Sequence, residues 1–249
     1  MKILKIIAIE FFNFIDKFIH RPKILKVLKQ KIKNINIFVD IGAHKGTYTD
    51  LIINNFDVKK AVMFEPQEYF FNFLKKKYSM NDRVTILNKA VSEKKEDLDF
   101  YINKHDLTSS LSILDTNNKY LKLKSRLFGT DTKGMIEKKI QVKTTTLNSI
   151  MEEISLRSID LLKIDTEGHE LQVVKGIAEK IKHIKLILVE FHNDEIYVSY
   201  NPKKLHDLLT FNNFKLINKF KFPFTTWEDR LYINLHKWRQ SVLFNRIFY

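Results

Sequence analysis

The 249-residue sequence contains no cysteine, only six glycines and only four prolines. The absence of cysteine excludes a disulfide framework, a thiolate metal site and a cysteine nucleophile. No run reaches the 18 or so uninterrupted apolar residues of a membrane-spanning helix, and the N-terminal stretch lacks a small-residue cleavage site. We therefore expect a cytoplasmic protein without a spanning helix.

Acidic residues are in deficit: 29 Asp and Glu face 43 Lys and Arg, a formal net charge of +14. Residues 1–36 carry nine basic and two acidic side chains, which is half of this excess. Such a charge invites an anionic partner. Because no basic motif is interleaved with aromatic residues, a nucleic-acid partner is not expected. The hydrophobic fraction of 44% excludes a mainly disordered chain.

The first 35 residues predict a basic, amphipathic helical extension. Its apolar stripe over residues 3–19 consists of Leu4, Ile7, Ala8, Phe11, Phe12, Ile15, Phe18 and Ile19. We favour packing of this stripe on the following domain; the alternative is peripheral contact of residues 1–20 with an anionic membrane. Residues 236–249 form a second basic segment, the C-terminal tail.

Residues 36–235 read as one α/β domain. Five short runs are almost entirely apolar, as in parallel strands buried on both faces: 37–41, 61–64, 84–87, 159–164 and 185–191. Helical patterns between them cover 47–55, 67–78 and 169–181. The alternation predicts a doubly wound sheet. A helix over 202–211 and two strands, 214–220 and 231–235, complete the domain, and the short connection makes these strands antiparallel neighbours.

A polar stretch of about fifty residues, 97–147, interrupts the alternation between the third and fourth apolar runs. Its ends look like strands, and loops this long are usually functional elements. We expect this insertion to select the substrate, with His105, Ser109, Ser110 and Tyr120 as candidate contacts.

Glycine is used where the first strand meets a helix. Gly42 and Gly46 allow a tight turn and close approach of a ligand, although the third glycine of a dinucleotide fingerprint is missing. Glu65, 25 residues after Asp40, either binds a ribose or simply begins a helix. The third strand ends at Asn88 to Ala90, which is either the rim of an adenine site or a plain loop.

Acidic residues follow the fourth and fifth strands. Asp165 ends one strand, whereas Glu190 and His192 point to the same face of the next. We take these three as catalytic candidates, with Glu167 behind them. They offer ligands for a divalent metal, but a hydrogen-bonded network explains them equally well, and we expect no metal.

Together these residues resemble the FkbM family of S-adenosylmethionine-dependent methyltransferases over roughly residues 36–235. The resemblance lies in four segments: Val39 to Gly46, Phe64-Glu65-Pro66, Leu162 to Glu170 and Val189-Glu190. It implies a seven-strand sheet with an antiparallel last strand, and O-methylation of a hydroxyl on a sugar, glycan or related natural product.

The resemblance also implies roles for individual residues. S-adenosylmethionine would be bound by Asp40, Gly42, Ala43, Gly46, Glu65, Asn88 and Ala90. Asp165 or His192 would take the proton of a small-molecule or glycan acceptor. Two other functions stay open: a nicotinamide-dependent oxidoreductase, and a non-catalytic protein that binds anionic surfaces.

Overall fold

A computed structural model describes residues 10–103, 109–127, 136–193 and 196–237. The strands are β1 Ile37–Ile41, β2 Lys60–Phe64, β3 Val84–Leu87, β4 Ala90–Val91, β5 Asp97–Asn103, β6 Ile136–Thr145, β7 Ile159–Ile164, β8 Ile184–His192, β9 Phe214–Lys221 and β10 Trp227–Asn234. The α-helices are α1 Arg21–Lys31, α2 Thr47–Ile53, α3 Glu68–Lys77, α4 Lys119–Leu127, α5 Leu147–Glu153, α6 Glu170–Lys175 and α7 Pro202–Phe211. Among these residues no helix has the length and apolarity needed to cross a membrane.

Seven strands form one sheet in the order β3-β2-β1-β7-β8-β10-β9. The first five are parallel, whereas β10 runs antiparallel to both β8 and β9. This confirms the doubly wound sheet with an antiparallel last strand. The chain runs outward from β1 to β3 and then returns to the other side of β1, so a crevice opens between β1 and β7 at their carboxyl ends.

The two faces of the sheet are covered by different helices, because successive strand residues point to opposite sides. In β1, Phe38 packs with Ile24 and Leu28 of α1 in one cluster. Its neighbour Val39 packs with residues of α5, α6 and α7 in the other, for example Leu205. Burial on both faces explains why these strands read as continuous apolar runs.

Strands β5 and β6 of the insertion form a second, small sheet together with β4, in the order β4-β6-β5. The loop after β5 is fixed to the main sheet where β7 ends. The single hydroxyl proton of Ser110 is shared between the carbonyl oxygens of Thr166 (2.9 Å) and Glu167 (2.7 Å). Leu114 also pairs with Tyr197, in the segment after β8. The insertion is thus held against the carboxyl edge of the main sheet.

The predicted helix over 169–181 is interrupted. The structure has α6, then Gly176, then a 3₁₀ helix over Ala178–His183. A Cβ atom at Gly176 would lie 2.0 Å from the carbonyl oxygen of Ser92. The close approach of this backbone requires glycine, and the α-helix ends there.

Residues 10–20, called the arm from here on, are helical and lead into α1. The prediction that Phe11, Phe18 and Ile19 pack on the domain is wrong: all three are exposed. The reason is a π-helical turn over Asp16–His20, which widens the helix. After Ile15 the next buried residue is therefore His20, five residues later. A regular α-helix would bring the buried face back after three or four residues.

Candidate active site

A cavity of about 590 Å³ lies at the carboxyl edge of the main sheet. The ends of β1, β2, β7 and β8 form its floor, and the start of β10 joins them because this strand is antiparallel. The arm and the insertion provide side walls. The volume is typical of a site for a small molecule or cofactor.

The cavity is acidic although the chain is strongly basic. Seven carboxylates line it, against three Lys or Arg side chains. The carboxylates are those of Asp16, Asp40, Glu65, Asp165, Glu167, Glu190 and Asp229, and the basic side chains are those of Arg21, Lys89 and Lys163. Such a lining favours a positively charged ligand and disfavours one that carries several phosphates.

The turn after β1 brings two strand ends together. Gly42 has a φ of 83°, and a Cβ atom there would lie 1.8 Å from the carbonyl oxygen of Asp165. Asp40 is buried; its Oδ2 accepts a hydrogen bond from Thr49 Oγ1 at 2.7 Å. Its Oδ1 is buried and has no hydrogen-bond partner among the residues that the structure describes. This carboxylate oxygen fits a cationic donor of a ligand, such as an ammonium group.

Glu65, at the end of β2, is held by backbone donors. Oε2 accepts from the N–H of His44 and Oε1 from the N–H of Gln67, both at 2.8 Å. Burial raises the pKa of its carboxyl to about 7, against the effect of these hydrogen bonds. A carboxylate has about four acceptor positions, so two remain for the hydroxyls of a ribose.

The remaining predicted cofactor residues divide into two groups. Ala43 and Ala90 line the cavity, but neither Gly46 nor Asn88 belongs to its wall. Gly46 begins α2 with a φ of 72°, and a Cβ there would lie 2.6 Å from the hydroxyl of Tyr78. Asn88 Nδ2 instead donates to the carbonyl of Glu65 at 3.0 Å. Both residues therefore shape the turns behind the cavity.

Asp165 is the carboxylate that β7 presents to the cavity. Its Oδ2 forms an ion pair with the buried Nζ of Lys163 at 2.7 Å. The same Nζ lies 4.2 Å from the ring centroid of Tyr48. Burial would raise the pKa of Asp165, but the Lys163 charge outweighs it and lowers the pKa. Asp165 is thus ionised and has 31% of its side chain exposed.

Glu190 and His192 lie beside Asp165 and are both buried. Burial and the charge of Asp165 raise the pKa of Glu190 well above the usual range of a carboxyl. Burial disfavours a charge on His192, yet Glu190 and Glu167 outweigh it and raise the pKa of the imidazole to about 10. His192 therefore carries its proton at neutral pH, which favours Asp165 over His192 as the base.

Glu167, Glu190 and His192 could also hold a divalent cation, since their ligand atoms all lie within 4.8 Å of one another. His192 Nε2 lies 3.1 Å from Glu190 Oε2 and 4.0 Å from Glu167 Oε2. Glu167 also accepts a hydrogen bond from the hydroxyl of Tyr197. Despite the short distance between them, Glu190 Oε2 and His192 Nε2 are both buried without a hydrogen-bond partner among the described residues. The expected absence of a metal stays a prediction.

The insertion contributes some of its predicted contacts. Ser109 and Tyr120 line the cavity. Ser110 is buried and its hydroxyl is used by the backbone of the loop after β7, so it positions that loop. His105 lies outside the described residues.

Two parts of the site were missed in the sequence. Lys163 sits in an apolar run, and a buried charge in such a strand was the available signal. Asp229, from β10, accepts hydrogen bonds from His20 Nε2 (2.8 Å) and the Tyr48 hydroxyl (3.2 Å). No local signal marks Asp229, because its partners are distant in the chain.

The sheet order, the glycine turn after β1, the acid after β2 and the acidic cluster after β7 and β8 define a Rossmann-like enzyme of the methyltransferase class. The family model of the methyltransferase FkbM domain matches residues 40–216. This chain belongs to that family, as the resemblance in its motifs implied.

Relatives with curated names agree with this assignment. The 2-O-methyltransferase NoeI of Sinorhizobium fredii is 24% identical over 201 residues, which are 79% of this chain and 81% of NoeI. The hexuronic acid methyltransferase AglP of Haloferax volcanii is 28% identical over 74 residues, only 30% of this chain and 29% of AglP.

Among solved structures, the methyltransferase FkbM from Methylobacillus flagellatus matches with a TM-score of 0.50 and 14% sequence identity. The match covers 81% of this chain but 44% of that protein, so this chain spans less than half of its length. At this identity the likeness concerns the fold.

Proposed function

We propose that this protein transfers a methyl group from S-adenosylmethionine to a hydroxyl of a sugar or glycan. The observation that carries the proposal is the acidic cavity at the crevice of a methyltransferase sheet. S-adenosylmethionine carries a positive sulfonium and an ammonium group, which the ionised carboxylates of the cavity wall, Asp165 among them, would favour.

The residues present suit this cofactor. Asp40 would bind the ammonium group through Oδ1, the buried oxygen that has no hydrogen-bond partner in the described protein. Glu65 would accept hydrogen bonds from the ribose hydroxyls, and the backbone at Ala90 would border the adenine. When bound, the cofactor supplies a methyl group that is already a good electrophile.

The protein would then mainly position the acceptor, exclude water and accept one proton. Asp165 faces the cavity as an ionised carboxylate, so it can hold the acceptor hydroxyl through a hydrogen bond. Asp165 would take the hydroxyl proton as the acceptor oxygen gains the methyl group that the cofactor would supply, with S-adenosylhomocysteine as the other product. The low pKa of Asp165 suffices, because the oxygen becomes strongly acidic during this step.

Lys163 and His192 would keep Asp165 ready for this role. Lys163 stabilises its ionised form, and protonated His192 holds positive charge beside the buried acids. The names of NoeI and AglP, an O-methyltransferase and a hexuronic acid methyltransferase, support a sugar hydroxyl as the acceptor.

Isothermal titration calorimetry with S-adenosylmethionine, S-adenosylhomocysteine and NAD⁺ tests the cofactor. We expect binding of the first two and none of NAD⁺, whose two phosphates would meet the acidic lining. Heat with NAD⁺ alone would instead support the oxidoreductase alternative. Mass spectrometry of glycan and lipid extracts incubated with enzyme and cofactor should then show a gain of one methylene mass in a sugar-containing species.

A further inference from the structure

The arm has an inner face that fixes it to the domain. Ile15 is 4% exposed, and the ring of Phe12 lies 6.0 Å from that of Phe222. His20 Nε2 makes the 2.8 Å contact with Asp229 Oδ2 in a buried environment. The arm is therefore held in one orientation, and its other side faces outward.

The outer face of the arm is aromatic. Phe11, Phe14 and Phe18 are 51%, 56% and 57% exposed, and Ile19 next to them is 38% exposed. The rings of Phe14 and Phe18 contact each other, with centroids 4.8 Å apart. Soluble proteins rarely place several large apolar side chains together on one exposed helix face unless a partner covers them.

Charge indicates which partner this is. The arm itself carries Lys17, Glu10 and Asp16, and the excess of positive charge comes from α1, which continues the arm and adds five basic side chains and no acidic one. Of these lysines, Lys17, Lys23, Lys26 and Lys29 are exposed. Lys17 Nζ lies 5.3 Å from the ring centroid of Phe18, within the aromatic face itself. A second copy of the chain would bring like charges together, whereas an anionic bilayer offers both an apolar interior and opposite charge.

We propose that the arm binds the surface of an anionic membrane, with Phe11, Phe14 and Phe18 inserted among the lipids. The arm also borders the cavity through Asn13 and Asp16. The cavity opening would then lie at the membrane surface. Resting on the proposed methyl transfer, this identifies the acceptor class as a sugar attached to a lipid.

The apolar rim of the cavity supports this acceptor class. Leu123, from the insertion, and Phe224, from the β9–β10 connection, both line the cavity and are 57% and 83% exposed. Polar groups of the cavity would hold the sugar, while these side chains would contact the first part of the lipid chain. A soluble sugar alone would leave them uncovered.

Sedimentation of the full-length protein with vesicles tests the proposal. The vesicles contain phosphatidylcholine with or without phosphatidylglycerol. The variant replaces Phe11, Phe14 and Phe18 with serine, and the matched control is Phe211→Ser, which changes an 85% exposed phenylalanine on α7. We expect wild type and control to pellet with the anionic vesicles, and the triple variant to bind at least about tenfold more weakly.

Equal pelleting of wild type and triple variant, or pelleting without regard to phosphatidylglycerol, would overturn the proposal. So would self-association of the wild type without lipid that the triple variant abolishes, measured by light scattering. Calorimetry with S-adenosylmethionine on the same variants separates the two proposals. Membrane binding without cofactor binding would defeat only the proposed function, and cofactor binding without membrane binding only this inference.

Discussion

The two halves of the cavity hold their carboxylates in different ways. In the half formed by β1 and β2, Asp40 and Glu65 are each fixed by hydroxyl or backbone donors of neighbouring segments. In the half formed by β7 and β8, Asp165, Glu190 and His192 are fixed by one another and by Lys163. The first half, called the cofactor half after its proposed role, is a set of separate contacts. The second, called the acceptor half after its proposed role, is an electrostatic network.

This difference suits the two tasks. A cofactor is bound at every turnover in the same way, so preset individual contacts serve it well. Proton transfer needs groups whose protonation states are set relative to each other. Substitutions in the first half should therefore alter binding, and substitutions in the second should alter turnover.

Asp165→Asn should have the largest effect. It keeps the shape of the side chain but removes the ionised acceptor, so kcat should fall by about 10²–10⁴-fold. Affinity for S-adenosylhomocysteine, measured by calorimetry, should stay within a few fold of wild type. Asp57→Asn, at a mostly exposed carboxylate outside the cavity wall, is the matched control and should keep full activity. A turnover near that of wild type in Asp165→Asn would exclude Asp165 as the base.

Gly42→Ala tests whether the two halves are joined through backbone. The new Cβ would meet the carbonyl oxygen of Asp165 at 1.8 Å, and the φ of 83° is strained for alanine. We expect a loss of about 2–4 kcal/mol in the free energy of unfolding, measured by urea titration. Both cofactor affinity and kcat should fall, because the turn and the end of β7 must move together.

Gly46→Ala is the comparison for that experiment. Its Cβ would press on the side chain of Tyr78 rather than on backbone of the acceptor half. We expect a loss of stability with kcat at saturating cofactor close to wild type. Equal losses of kcat in both glycine variants would show that the close approach of Gly42 to Asp165 has no special role.

Glu65→Gln should separate binding from turnover. A hydrogen bond to a charged group contributes about 1.5–3 kcal/mol, so the Kd for S-adenosylmethionine should rise by about 10–100-fold. The value of kcat at saturating cofactor should change little. Glu68→Gln, at an exposed position three residues further on, is the control and should leave Kd unchanged. Unaltered affinity in Glu65→Gln would remove the ribose contact from the proposal.

The cofactor half could be predicted from sequence because its signals are local. Asp40, Gly42 and Glu65 stand at the ends of two apolar runs, and parallel strands bring such ends to the same edge. The same reasoning located Asp165, Glu190 and His192. It also assigned Gly46 and Asn88 to the cofactor. That role stays a prediction, but both residues lie outside the cavity wall, and spacing alone does not reveal their contacts with Tyr78 and with the carbonyl of Glu65.

The position of the arm and the role of Asp229 could not be predicted, because they depend on contacts between segments that are distant in the chain. His20 and Asp229 are 209 residues apart, and their pairing is one of the contacts that hold the arm beside the cavity. The π-helical turn of the arm also shifts the buried face in a way that a period of 3.6 residues does not anticipate. Pairings of this kind are decided by tertiary packing, which a single sequence does not display.

The smallest effect, a pH dependence, should also distinguish the halves. Burial raises the pKa of Glu65 to about 7, so its carboxyl gains a proton as the pH falls through that value. The ionised form accepts both ribose hydroxyls, and the protonated form does so poorly. Affinity for S-adenosylmethionine should therefore rise between pH 6 and pH 8, by no more than about tenfold.

Glu65→Gln provides the reference for this measurement, because titration of the cofactor itself affects both proteins equally. Calorimetry across this range should give a ratio of the two Kd values that grows with pH. Asp165 contributes nothing to this ratio, since Lys163 keeps it ionised throughout. If the ratio stays constant while both affinities change, the titrating group is not Glu65. The proposal that the cofactor half binds S-adenosylmethionine independently of the acceptor half would then be wrong.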